Sequence, residues 1–204
     1  MILVKDVACM ENKKTTHQKL EKLMLLWEGQ HIAESESVQK KIKRFAPDGL
    51  IGVDDEWDSL DNKNKTLYIC AAPNMEKDDY RKCFWVQEVV DGLADKNGKI
   101  IDRMAVKQYE ITYGDKDDLA VSEKIDIGLE LLKNAAFMNL CKRGCSDRQY
   151  DKRLKDYVDK YKRLIKKEIE ILNPDIIFCY GKGVSECVNV LLSEMNICPK
   201  VFEL

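Results

Sequence analysis

The sequence predicts an α/β fold in which a short, mainly parallel four-stranded sheet is covered by helices on both faces. Three short apolar runs have the length of buried strands, namely Leu67–Ala72, Ala135–Asn139 and Asp175–Tyr180. Helical patterns long enough for crossover connections separate these runs, and such connections join parallel strands. At 204 residues the chain has an ordinary size for one domain, so we expect 1–204 to form a single α/β domain.

The front of the chain, 1–60, is predicted to be a mainly helical preface packed on the sheet. Thr15 and Gln18 have the spacing of a capping box at the start of an amphipathic helix. A second short helix is expected over 37–44. Proline and glycine residues then end the helical pattern, and a polar loop is expected over 58–65.

Helices and turns are predicted to fill the intervals between the strands. A capping box at Ser146 and Gln149 precedes an apolar stripe from Tyr150 to Leu172, which predicts one long helix. The remaining predicted elements are a helical pattern over 80–93, a turn at 96–99, helices at 119–132 and 184–195, and a fourth strand at 200–204.

The cysteines are typical of buried apolar residues and not of a disulfide framework or a metal site. The chain has eight of them, most within apolar runs. Cys141 and Cys145 are the closest pair, but no second pair with zinc-ribbon spacing exists, and His17 and His31 lie far upstream. We therefore expect no metal and no cofactor.

Charge and hydropathy point to a cytoplasmic protein without a membrane partner. No segment reaches the roughly 20 apolar residues that span a bilayer, and Lys5 and Asp6 follow the first apolar residues directly. The net charge of −2 hides an acidic segment at 115–130 and a basic segment at 142–167. The basic segment can attract phosphate, or it can be the solvated face of a helix.

The candidate site lies where the parallel strands end, because ligands of such sheets bind beyond the carboxyl ends of the strands. The residues expected to bind substrate at this edge are Ala72, Pro73, Asn74, Asn139, Gly181 and Gly183. The residues expected to bind phosphate are Lys142, Arg143 and Lys182.

Asn139 is the most informative of these residues. Its amide offers a donor and an acceptor that can match the Watson–Crick edge of a pyrimidine, although it can equally bond the adjacent loop backbone. Gly181 and Gly183 flank a lysine at a strand-to-helix junction, which can cradle a phosphate or form a plain tight turn.

The order of these junctions resembles the uracil-DNA glycosylase superfamily from Leu67 to the end of the chain. A strand leads to a first motif that contains Pro73, a second strand ends in Asn139 with basic residues nearby, and a long helix follows. Asn173 then begins an Asn-Pro-Asp-Ile-Ile strand that ends in Gly181. The segments 45–57 and 139–144 look closest to an uncharacterised bacterial branch of that superfamily. The resemblance implies a three-layer α/β/α sandwich that reads extruded bases, with Asn139 corresponding to the pyrimidine-reading asparagine.

Two departures from the family pattern concern catalysis. Active members carry Asp, Glu or Asn in the first motif, where this chain has Ala71 and Ala72. They also have a His-Pro-Ser type motif after the fourth strand, near the point where this sequence ends at Leu204. Loss of one comparable hydrogen-bond donor costs about 2.7–4 kcal/mol of transition-state stabilisation.

We therefore expect a glycosylase-like protein that binds DNA or a nucleotide with weak or absent base excision, and no catalytic residue is assigned. One alternative is an active DNA glycosylase that hydrolyses an N-glycosidic bond, either from a longer chain or with an acid from 76–79. Another is a non-catalytic module that binds a protein partner through its front helices and basic helix.

Overall fold

The computed structural model describes residues 14–33, 45–52, 54–60, 64–72, 94–114, 118–142 and 151–204. Within these ranges the chain forms six α-helices and a five-stranded sheet. The helices are α1 (Thr16–Ile32), α2 (Asp54–Ser59), α3 (Ala94–Tyr113), α4 (Val121–Leu131), α5 (Asp151–Leu172) and α6 (Lys182–Met195). The strands are β1 (Gly49–Leu50), β2 (Thr66–Cys70), β3 (Ala135–Asn139), β4 (Ile176–Cys179) and β5 (Lys200–Glu203).

The sheet is mixed, with the strand order β1-β3-β2-β4-β5. Strands β3, β2, β4 and β5 run parallel to one another, and β1 pairs antiparallel with β3. The α/β class and the parallel pairing of the three apolar runs are confirmed. The predicted number of four strands is wrong, because a two-residue strand such as β1 is too short to produce a periodic pattern.

Two predicted irregular segments overlap helices in the structure. The expected turn at 96–99 lies inside α3, since one glycine costs a helix only about 1 kcal/mol and the buried residues Ile101 and Met104 anchor this helix. The expected loop over 58–65 begins within α2, which is anchored by the buried Trp57. The predicted helix at 37–44, the pattern over 80–93 and the capping box at 146–149 lie outside the described residues.

Helices pack against both faces of the sheet because successive strand residues point to opposite sides and both sides are apolar. On one face Leu67 and Ile69 pack with Trp27 of α1 and Ile165 of α5. On the other face the core comprises Tyr68, Phe137, Phe178, Ile101 and Met104, which bring α3 against the sheet. None of the helices in the described ranges is long and apolar enough to cross a membrane.

Candidate functional site

The structure brings three of the predicted strand ends to one edge of the sheet. Cys70 at the end of β2 is in register with Asn139 at the end of β3. Beyond β2, the backbone N–H of Cys141 donates to the carbonyl of Ala71 at 2.9 Å, and the half-buried Ala72 follows. The N–H of Tyr180, just before Gly181, donates to the carbonyl of Ile69 at 2.9 Å. The ends of β2, β3 and β4 therefore form one rim.

Asn139 is held at this rim by an acid from the front of the chain. Its residue surface is 3% exposed, and its backbone N–H donates to Oδ2 of Asp48 at 2.5 Å. Asp48 directly precedes β1, and β1 runs antiparallel to β3, so Asp48 arrives where β3 ends. Asp48 was not among the residues predicted for the site, because its place between Pro47 and Gly49 is typical of a turn.

Lys142 completes a buried charged cluster, defined here as Asp48, Lys142 and Glu168. The Lys142 ammonium contacts Oδ1 of Asp48 and lies 2.8 Å from Oε2 and 3.0 Å from Oε1 of Glu168. The side chains of Lys142 and Glu168 are 0% exposed. The same ammonium lies 5.0 Å from the ring centroid of Trp27, within the range of a cation–π contact. Helices α1 and α5 therefore both contribute to the environment of one lysine.

The surroundings of the charged cluster shift the pKa values of Glu168 and Lys142. Burial raises the pKa of Glu168 well above its ordinary value, the Lys142 charge opposes this rise, and the Asp48 charge adds to it. Burial would lower the pKa of Lys142, but the charges and hydrogen bonds of Asp48 and Glu168 outweigh it and raise the pKa. Burial and the nearby Asp48 carboxylate therefore oppose ionisation of Glu168, whereas the Lys142 ammonium favours it.

Tyr157 of α5 supports the backbone of the same segment. Its hydroxyl accepts a hydrogen bond from the N–H of Lys142 at 3.2 Å and lies 3.0 Å from Nε2 of His31. His31 is buried on α1, and its ring packs edge-on against those of Phe45 and Tyr161. These contacts fix the segment after β3 against both helices of that face.

Lys142 does not have the surroundings expected of a phosphate-binding residue. Its ammonium is fully buried and is paired with two carboxyl groups, so it is not presented to a phosphate in this arrangement. Lys182, by contrast, has a side chain that is 80% exposed and lies 3.9 Å from Glu186. The predicted site residues Pro73, Asn74 and Arg143 lie outside the described residues.

The β4 junction requires a glycine at its first position. Gly181 has a φ of +96°, and its carbonyl accepts from the N–H groups of Val184 and Ser185 at 3.1 Å. This is a conformation that residues with a Cβ rarely adopt. Gly183 is exposed in the first turn of α6, next to Lys182. The junction therefore places the first turn of α6 and the exposed ammonium of Lys182 at the same edge as Asn139.

Cysteine and metal chemistry receive no support from this edge. Burial raises the pKa of Cys70 to about 12, so its side chain is a neutral thiol at pH 7 and a poor nucleophile. In the part of the chain that the structure describes, no three His, Cys, Asp or Glu residues are grouped so that they could hold a metal ion.

Fold and site together define a mixed α/β protein with an asparagine and a buried lysine–dicarboxylate cluster at the carboxyl edge of its sheet. No protein-family model, curated protein or solved structure matches the chain.

Proposed function

We propose that this chain is a uracil-DNA glycosylase-like protein that recognises a nucleobase in DNA or in a nucleotide through Asn139, with weak or absent base excision. The observation that carries the proposal is the placement of Asn139 at the end of a central parallel strand, with its backbone N–H bonded to Asp48. The three-layer α/β/α arrangement and a cytoplasmic location belong to the same proposal.

The Asn139 amide suits recognition because it combines a donor and an acceptor. It is 3% exposed, so a base that reaches it forms hydrogen bonds away from bulk water. A base whose hydrogen-bonding edge does not match the amide leaves buried polar groups unpaired. The difference in affinity between matching and non-matching bases is therefore large. The fixed backbone of Asn139 also favours binding, because less conformational entropy is lost when the base binds.

Phosphate contacts are assigned to Lys182 and Arg143, and no longer to Lys142. Lys182 is exposed in the first turn of α6, where the helix dipole also favours an anion. On α5 the basic side chains Lys162 and Lys166 are both paired with Glu194, at 2.7 Å and 2.6 Å. That part of the basic helix is therefore compensated by a carboxylate of α6.

Weak or absent excision is supported by the chemistry of the rim. Ala71 and Ala72 carry no group that could position water. The carboxylate that contacts Asn139 is Asp48, and its two oxygens are engaged by the Asn139 N–H and the Lys142 ammonium. A carboxylate held in this way is not free to act as a general base.

The test is a binding and cleavage panel of single- and double-stranded DNA that contains uracil, hypoxanthine or a mismatch. We expect Asn139→Ala to reduce the preference for the best-bound base by about tenfold or more, as expected for a lost bidentate contact. Weak binding to unmodified DNA should be unchanged. Asn189→Ala is the matched control, because Asn189 is exposed on α6.

Two results would remove the proposal. One is an absence of binding to every member of the panel and to free nucleotides, with the protein folded. The other is an equal response of the Asn139→Ala and Asn189→Ala variants. Efficient cleavage of one substrate would instead identify an active DNA glycosylase.

A further inference from the structure

We infer that Asp48 is a positioning residue of the base-reading site, which fixes Asn139 by binding both ends of the segment that leaves β3. The inference rests on the proposed function. Oδ2 of Asp48 accepts from the backbone N–H of Asn139 at 2.5 Å, and Oδ1 contacts the ammonium of Lys142. A single carboxylate thus contacts the first and last residues of the segment 139–142.

Only a carboxylate can make both contacts at once. Each oxygen of Asp48 faces a donor, and an ionised carboxylate is an acceptor at both oxygens. An asparagine in its place has one acceptor oxygen and one NH2 group, so that NH2 would face either the Asn139 N–H or the Lys142 ammonium. The side chain of Asp48 is 1% exposed, so water cannot readily replace the lost partner.

Two further contacts hold the segment that contains Asp48 and the segment that contains Lys142 in place. The backbone N–H of Ala46 donates to the carbonyl of Lys142 at 2.8 Å, which joins the two segments a second time. Lys142 is in turn held by Glu168 of α5. The position of Asn139 is therefore linked through Asp48 and Lys142 to a helix on the face of the sheet.

The test compares Asp48→Asn with Asp58→Asn and Asn139→Ala in the same DNA panel. For each variant we measure the ratio of the affinity for the best-bound base to that for unmodified DNA. We expect Asp48→Asn to lower this ratio about tenfold, the equivalent of one well-placed hydrogen bond, and to leave binding to unmodified DNA unchanged. Asp58→Asn is the control, because both oxygens of Asp58 also accept hydrogen bonds, from the backbone N–H and hydroxyl of Thr16 on α1 and not from the segment 139–142, so its ratio should stay near that of the unmodified protein.

The outcomes separate the inference from the proposed function. If Asn139→Ala lowers the ratio and a folded Asp48→Asn does not, the inference is overturned and the proposed function stands. If neither variant changes the ratio, the proposed function is overturned first. If Asp48→Asn fails to fold, the inference is tested instead by the rate of amide hydrogen exchange at Asn139 in the unmodified protein. Exchange much slower than in exposed loops supports the inference, and exchange as fast as in those loops overturns it.

Discussion

Two groups of lysine and glutamate side chains include residues of α5 and have similar distances, but one group is buried and the other is near the surface. In the charged cluster, Glu168 lies 2.8 Å from the Lys142 ammonium and both side chains are 0% exposed. Nearer the surface, Glu194 lies 2.7 Å from Lys162 and 2.6 Å from Lys166, and its side chain is 39% exposed. Distances alone would rank the two groups as equals. The difference in burial predicts that removing one partner costs much more stability in the first group than in the second.

The pKa values of the two glutamates move in opposite directions. Burial raises the pKa of Glu168 well above its ordinary value. Hydrogen bonds from Lys162 and Lys166 lower the pKa of Glu194 below its ordinary value. Burial therefore makes Glu168 harder to ionise, whereas its lysine partners make Glu194 easier to ionise, and this contrast can be tested by substitution.

The largest effect is expected from Lys142→Met. It leaves the carboxyl groups of Asp48 and Glu168 facing each other in the core without a cation. Breaking a buried ion pair in this way costs about 3–5 kcal/mol, to be measured as the free energy of unfolding in urea. The control is Lys162→Met on α5, which removes one lysine partner of Glu194 and which we expect to have a much smaller effect. Equal losses in the two variants would contradict the contrast drawn above.

An intermediate and pH-dependent effect is expected from Glu168→Gln. Because the pKa of Glu168 is raised in the folded state, its contribution to stability is fully present below the unfolded-state pKa near 4.5. That contribution is lost as the pH rises toward the folded-state pKa. Stability of the unmodified protein should fall across that window by up to the order of 1 kcal/mol per pH unit. Glutamine mimics the protonated acid, so this variant should gain relative stability as the pH rises. Thermal unfolding from pH 5 to pH 8 measures the difference, and parallel curves would argue against a protonated Glu168.

The smallest effect is expected from Glu194→Gln, and its pH dependence has the opposite sign. A lowered pKa gives a contribution that is present above the unfolded-state value and is lost as the pH falls through the folded-state value. The variant should be slightly less stable than the unmodified protein at neutral pH, and the difference should vanish in high salt. Thermal unfolding at low and high salt checks this. A large loss that persists in high salt would show that the pair is structurally critical.

The sequence predicted the central fold well because its apolar runs and helical stripes are long and regular. Strand β3 begins and ends where it was expected, and β2 and β4 differ by one or two residues at their ends. Strand β1 escaped prediction because two residues carry no period, and with it the position of Asp48 was lost. The register of an antiparallel pair between distant segments cannot be read from either segment alone.

One of the three residues of the charged cluster was nevertheless detectable. Glu168 lies four residues from both Leu164 and Leu172 on the apolar stripe of α5, so a charged residue on the buried face was visible in the sequence. A buried acid requires a partner, and this should have directed attention to a nearby lysine. The orientation of Lys142 could not be predicted from the sequence, because a lysine shortly after an apolar strand can point into the core or toward solvent.

The pairing of β1 with β3 also bears on how the candidate site assembles. Asp48 is 91 residues from Asn139 and 94 residues from Lys142 along the chain. Contacts between such distant residues close large loops, and the conformational entropy of that closure is lost before the contacts form. The site consequently has no local stability of its own. Its geometry depends on completion of the sheet, and a change that loosens β1 is expected to separate Asp48 from Asn139 and Lys142 even where each of these residues is left intact.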